Sequence, residues 1–321
     1  MSTQQTSRQM LKALVRGERL ARPLLMPLVF SLGSRLENLG LRDFLANPTK
    51  IANALRQIHG ALKVDGLACY CDPWLEAEAL SCNVEWKEDG SRTLVVARPE
   101  SMGSLRRRVE AAGGILEMGR IPVATEVLRR LKTMLKDEPA LMVVASGPYH
   151  LAQRLQAGEP DSDGIEFTGE LVAAVVKGYL EAGADIVFLE ERNMPSQNAN
   201  EAWRNALDPI VNAIRFYEAL PVLLVAGGNG ADFQRGQTWE CALCLNSEEH
   251  SAGDWRAIAP WWGVRIRSEE LIGEGGAGPL LAALSTNGAS FLSCDDPPRE
   301  AEWKHLIQTL KAIRDRLLSA V

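Results

Sequence analysis

The chain has 321 residues, 46% of them hydrophobic and 24% charged, a balance that excludes a disordered or collagen-like polypeptide. With 35 Lys plus Arg against 41 Asp plus Glu, its net charge is −6, the wrong sign for a general nucleic-acid binder. No run reaches the roughly 18 apolar residues of a membrane span, and residues 1–8 are too polar for a secretory signal, so neither nucleic acid nor membrane is an expected partner. The basic stretch Met10–Arg22 reads as a surface helix leading into the fold. Six cysteines scattered at 69, 71, 82, 241, 244 and 294 are expected to be reduced thiols in a cytoplasmic protein.

In chain order, short apolar runs alternate with longer amphipathic stretches. Leu24–Val29 is strand-like. Asn47–Leu62 is predicted helical: Ile51, Leu55, Ile58 and Leu62 recur at three- and four-residue spacing, and Asn47 before Pro48 forms an N-cap. Gly66–Cys71 is a strand. Asn83–Lys87 and Arg92–Ala97 form a hairpin across Lys87-Glu88-Asp89-Gly90. Helix Ile121–Lys136 leads to strand Leu141–Ala145, and helix Thr168–Ala182, stopped by Gly183, leads to strand Asp185–Leu189. Helix Ala199–Ala219 and strand Pro221–Val225 follow. Strand Cys241–Leu245, helix Gly278–Thr286, strand Ser290–Ser293 and helix Glu300–Leu318 complete the pattern. This amounts to about seven or eight β–α units. No Gly-rich phosphate fingerprint follows the first strand and no linker divides the chain. The expected fold is therefore α/β: a single (β/α)8 TIM-type barrel over residues 1–321 with an N-terminal helical extension.

In such a barrel, chemistry collects just past the C-terminal ends of the strands. The first strand is followed by Gly33, Ser34 and Arg35, and the second by Asp72, Pro73, Trp74 and Glu76. Tyr149, His150 and Arg154 follow the Leu141 strand, and Glu190, Glu191 and Arg192 the Asp185 strand. Asn229 follows the Pro221 strand, Asn246 to His250 the Cys241 strand, and Cys294, Asp295 and Asp296 end the last. His150, placed to reach the mouth, is a candidate general acid. Cys241-Ala242-Leu243-Cys244 has no second pair at zinc-ribbon spacing, and strand geometry points its cysteines to opposite faces, so no metal site is expected. Trp239, Trp255, Trp261 and Trp262 crowd one late region, either as packing or as an aromatic wall for a flat macrocycle.

Several motifs carry a family resemblance. Arg8-Gln9-Met10-Leu11-Lys12-Ala13-Leu14, Arg16-Gly17-Glu18 and Arg22-Pro23 resemble the opening of the uroporphyrinogen decarboxylase-like superfamily. Cys71-Asp72-Pro73-Trp74-Leu75-Glu76-Ala77-Glu78-Ala79-Leu80 is similar to its second-strand motif, Gly147-Pro148-Tyr149-His150-Leu151-Ala152 to its Gly-x-Pro-x-x-Leu segment, and Glu181-Ala182-Gly183-Ala184-Asp185 to its helix-to-strand turn. The superfamily fold is a (β/α)8 barrel, and it holds decarboxylases and corrinoid-dependent methyltransferases.

The resemblance implies a lyase that decarboxylates a carboxylate-rich tetrapyrrole or related acid without a cofactor. Asp72 falls on the aspartate facing the substrate's pyrrole nitrogens, where a fixed carboxylate stabilises a cationic ring. Arg35 falls on the second arginine of the Arg-x-x-x-Arg motif, a guanidinium clamp for carboxylates. Arg154 is a second cation for such groups, with Tyr149, Glu190, Glu191, Asn229 and Glu76 lining the mouth. The chain also departs from the pattern. Ser31 and Leu32 replace an arginine and a glutamine, Arg154 stands at the active-site tyrosine and Glu191 at a serine, and the late histidine has no counterpart. Glu76-Ala77-Glu78-Ala79 and Gly119-Arg120-Ile121-Pro122-Val123 look more like the methyltransferase branch, yet that branch's His-x-Cys zinc ligands are absent from Leu223–Gly228, leaving Cys294 alone. Two alternatives stay open: a methyltransferase using a corrinoid, and a non-catalytic tetrapyrrole or corrinoid binder. The expected partner is a small acidic tetrapyrrole or a corrinoid, and a homodimer is left open.

Overall fold

The computed structural model describes residues 5–80, 82–86, 92–95, 101–136, 138–225, 239–246, 255–272, 288–297 and 303–319. The chain enters through α1 (Ser7–Val15), β1 (Leu24–Leu25), α2 (Leu32–Leu36) and α3 (Leu41–Leu45). Next come α4 (Pro48–Leu62), β2 (Gly66–Tyr70), α5 (Leu75–Ala79) and an antiparallel hairpin of β3 (Asn83–Trp86) and β4 (Arg92–Val95). Helices α6 (Met102–Ala111) and α7 (Ile121–Leu135) precede β5 (Ala140–Ser146), which α8 (Pro148–Gln156) and α9 (Ser162–Ala182) follow. Then come β6 (Ile186–Glu191), α10 (Asn200–Phe216), β7 (Leu220–Val225), β8 (Ala242–Asn246) and β9 (Trp262–Ile266). Last are α11 (Ser268–Ile272), β10 (Phe291–Cys294) and α12 (Trp303–Ser319).

Eight strands form one parallel sheet in the order β1-β10-β9-β8-β7-β6-β5-β2, the nearly closed TIM-type barrel that the alternation predicts. Its ends, β1 and β2, meet through Asp65. The Asp65 N–H donates to the Leu25 carbonyl at 2.9 Å, and its carboxylate accepts from the Leu25 N–H at 2.8 Å, the Ser7 hydroxyl at 2.9 Å and both Arg22 terminal nitrogens at 2.6 and 2.9 Å. Among the described residues no helix is long and apolar enough to cross a membrane.

The inner face of the barrel can be read from the ladders. Phe188 on β6 meets Phe291 on β10 edge-on, ring centroids 6.4 Å apart. Those strands stand four places apart in a ring of eight, so the contact crosses the lumen. Register neighbours share a face, which places Ser146, Glu190 and Leu224 inward together, and likewise Asn246 with Arg265. The two rings form a floor, and the polar residues stand above it toward the C-terminal ends. Gly263 makes room for this floor, because a Cβ there would collide with the Phe291 ring. Gly263→Ala is expected to lower stability by about 1–3 kcal/mol, read from the urea midpoint.

Several elements differ from expectation. Strand Trp262–Ile266 is absent from the sequence reading, because Gly263 and Arg265 interrupt its apolar run. Trp262 is therefore a barrel residue, and Trp261 donates its Nε1 hydrogen to the Leu14 carbonyl at 2.9 Å, at the end of the barrel away from the mouth. Neither forms an aromatic wall. Trp239 and Trp255 are buried, Trp239 packing edge-on against Trp203 at 5.8 Å. The N-terminal helix is a plug rather than a surface helix: Arg8, Met10, Leu11 and Leu14 are buried, and Arg8 pairs with Asp185 at 2.9 Å and reaches the Lys136 carbonyl. Helix α9 begins six residues earlier than predicted, capped by the Asp161 carboxylate on the Gly164 N–H. The predicted helix Gly278–Thr286 lies outside the described residues. All six cysteines are free thiols.

Candidate active site

Above the phenylalanine floor, Arg265 donates to the Asn246 side-chain oxygen at 2.6 Å and pairs with Asp295, just past β10, at 3.2 Å. Glu190 faces this pair from β6. Burial raises its pKa, and Arg154, Arg265 and Arg192 pull the other way. The loop after β1 is tied across to the loop after β10, where Asp296 accepts from the Ser31 N–H at 2.8 Å and the Ser31 hydroxyl at 3.0 Å.

Asp72, just past β2, is buried, its side chain 0% exposed. Its Oδ1 accepts from the Trp74 N–H at 3.1 Å, and its Oδ2 lies 2.6 Å from Arg120 Nη1. Arg120, at the N-terminus of α7, also donates to the Tyr70 hydroxyl at 2.9 Å and pairs with Glu78. Burial works against the charge on Arg120, but Glu78 and Asp72 outweigh it and its pKa is raised. Glu76 on α5 is buried and accepts from the Ser146 hydroxyl at 2.9 Å; burial raises its pKa against that bond.

Helix α8 carries three predicted site residues to different places. Arg154 is buried, donates to the Pro73 carbonyl and sits over Trp74, its guanidinium carbon 4.2 Å from the ring centroid. Its charge is felt by Glu190, Glu76 and Asp72, so these four make one cluster at the mouth. His150 is buried beside Arg154 and Arg192, and burial, then those two cations, lowers its pKa to about 3. A neutral imidazole of that kind fits a hydrogen-bond donor better than the general acid expected from sequence. The Tyr149 ring is buried, and its hydroxyl donates to Glu159 at 2.7 Å, on the same carboxylate that holds the Ser196 hydroxyl.

Glu191 points to the other side of β6 from Glu190. It is 0% exposed, and its oxygens accept from the Tyr149 N–H at 3.2 Å, the His150 N–H at 2.7 Å and Trp203 Nε1 at 2.7 Å. Expected to bind substrate, it instead caps the first turn of α8. Gly147 leaves room for it, since a Cβ there would strike the Glu191 carboxyl carbon. Arg35 lies half-buried on α2, while its neighbour Glu37 pairs with Lys50 at 2.8 Å. Asn229 lies outside the described residues. Sequence reasoning missed Arg120 and Arg265 as site residues. The Gly119-Arg120-Ile121-Pro122 motif was the available signal for the first; the second sits on the unpredicted strand.

The zinc-thiol arrangement of the methyltransferase branch does not fit these residues. The end of β7 is buried Leu223, Leu224 and Val225, and burial raises the Cys294 thiol instead of preparing a thiolate. Among the described residues no group of three His, Cys, Asp or Glu side chains is placed to hold a metal ion.

The geometry defines a (β/α)8 barrel protein with a charged, partly buried mouth. The family model described as uroporphyrinogen decarboxylase (URO-D) matches residues 6–237, and the chain belongs to that family, whose enzymes are decarboxylases or methyltransferases. A methyltransferase from Methanosarcina mazei matches with a TM-score of 0.76 at 13% identity, over 98% of this chain and 100% of that one. A B12-independent methionine synthase from Shewanella sp. W3-18-1, solved with selenomethionine, matches with a TM-score of 0.52 at 14% identity, over 94% of this chain and 98% of that one. A search of the curated proteins found no match.

Proposed function

We propose that this chain is a methyl-transferring member of the URO-D family that takes its methyl group from a corrinoid, free or protein-bound, as substrate and passes it to a small nucleophile in the barrel mouth. The observation that carries this reading is the Asp72–Arg120 pair. Decarboxylation of a pyrrole acetate asks Asp72 to stabilise a cationic ring. Here that carboxylate is already neutralised by a guanidinium at 2.6 Å, with no side-chain surface exposed. The mouth also suits a polyanion poorly: Arg120 is paired with Asp72 and Glu78, and Arg265 with Asp295. The Methanosarcina mazei structure is named as a methyltransferase, which agrees with methyl transfer, and the Shewanella methionine synthase is B12-independent and lends nothing to the corrinoid as donor.

In the step itself, the bond from the nucleophile to the methyl carbon forms as the donor–methyl bond breaks, and the donor keeps the electron pair. The proton of the nucleophile goes to Glu190, which faces the lumen and whose burial makes it a stronger base than an exposed carboxylate. Trp74 lies under the Arg154 guanidinium and gives the mouth an apolar ring face. The test is incubation of the full chain with methylcobalamin bearing a labelled methyl group and a panel of thiols and amines, beside a parallel incubation with uroporphyrinogen. Protein-dependent transfer of label, with no carbon dioxide from the tetrapyrrole, is expected. Carbon dioxide release with the label left in place overturns the proposal.

A further inference from the structure

We propose that Arg154 and His150 on α8, with Arg192 just past β6 and the Trp74 ring as a platform, form a subsite for one oxyanionic group on the substrate. The inference rests on the methyl-transfer reading only for which molecule carries that group.

Arg154 is 8% exposed and His150 3%, yet Arg154 Nη2 and His150 Nε2 are buried without a hydrogen-bond partner. Buried polar atoms are rarely left so, and a buried guanidinium is normally paired. Among the described residues no carboxylate lies within ion-pair distance of Arg154. Its hydrogen bond from Nη1 to the Pro73 carbonyl orients the fork and leaves the other arm for something else. The two side chains are four residues apart on one helix and so lie on the same face. The Trp74 ring, 4.2 Å from the guanidinium carbon, holds Arg154 in place, and Arg192, exposed, adds a second cation 5.8 Å from the same ring.

The chemistry of this set is specific. A planar fork, a second guanidinium and a neutral imidazole able to donate from Nε2 lie near enough to feel one another's charge, and all three offer hydrogens rather than lone pairs. That suits an oxygen anion: a carboxylate, a sulfonate or a phosphate. It also limits the number to one, because Arg120 and Arg265 are already engaged by carboxylates of the chain.

The experiment is calorimetric titration of the full chain with sodium acetate, sulfate and phosphate at constant ionic strength. Saturable binding of at least one anion is expected, and the tightest of the three names the class. Arg154→Gln is expected to weaken it about ten-fold, and Arg192→Gln about three-fold, while exposed Arg42→Gln leaves it unchanged. Because Arg192 is exposed, its variant keeps the test valid even where Arg154→Gln fails to fold. No saturable binding of any of the three anions, or binding that both Arg154→Gln and Arg192→Gln leave intact, overturns the subsite. Anion binding without methyl transfer keeps the subsite and removes the methyl-transfer reading; methyl transfer without anion binding does the reverse.

Discussion

Arg120→Met is expected to cost the fold about 3–5 kcal/mol, because it leaves a carboxylate buried without its counter-charge. The Asp72 side chain is 0% exposed and sits 2.6 Å from the guanidinium that would be removed. Glu78, 31% exposed on its side chain, can turn to water, so its share of the loss is under about 1 kcal/mol. The Tyr70 hydroxyl keeps its bond to the Leu45 carbonyl at 2.9 Å and loses only an acceptor role. The double variant Arg120→Met with Asp72→Asn removes both charges and should recover most of the stability, since replacing a buried pair is far less costly than breaking it. Urea denaturation of the wild type, both single variants and the double variant measures this coupling. A loss below about 1 kcal/mol in Arg120→Met would mean that water already screens the pair and that Arg120 does not hold Asp72 away from a substrate.

That pair also shows what sequence alone conveys. Asp72 is visible by position, because it follows an apolar strand and precedes a proline turn. Its partner lies on another element, far along the chain, and nothing local marks Arg120 as its counter-ion. Helix α4 is legible for the opposite reason: Asn47, Pro48 and the recurring apolar residues are all local, and the Asn47 side chain accepts from the Lys50 N–H as expected. The hairpin is legible from its charged, glycine-bearing turn. Strand β9 is not, because Gly263 and Arg265 make sense only against Phe291 on one neighbour and Asn246 on the other. The barrel was therefore readable from periodicity, whereas much of the site depends on contacts that periodicity does not encode.

Helix α8 is likewise set by a residue on another element. Its N-cap residue is Gly147, which has no side chain to cap with, so the segment reads as a turn. The cap arrives from β6 instead, as the Glu191 carboxyl group receives the Tyr149 and His150 N–H groups and the Trp203 indole. Glu191→Ala strips three buried donors of their acceptor and leaves a void, and the expected loss is about 3–5 kcal/mol. The pH dependence has a definite sign. Burial raises this carboxyl from 4.5 to about 8, against the pull of the three N–H groups. A raised folded-state value means that its contribution is fully present below pH 4.5 and is lost as pH rises through about 8. Glu191→Gln has the same shape and does not titrate. The stability of the wild type relative to Glu191→Gln should therefore shrink between about pH 5 and about pH 8, read from urea midpoints at each pH. A difference that grows over that interval would show that the three donors outweigh burial and hold the carboxylate ionised. The loop that carries Arg192 begins directly after Glu191, so loosening this cap should also weaken anion binding at the α8 subsite.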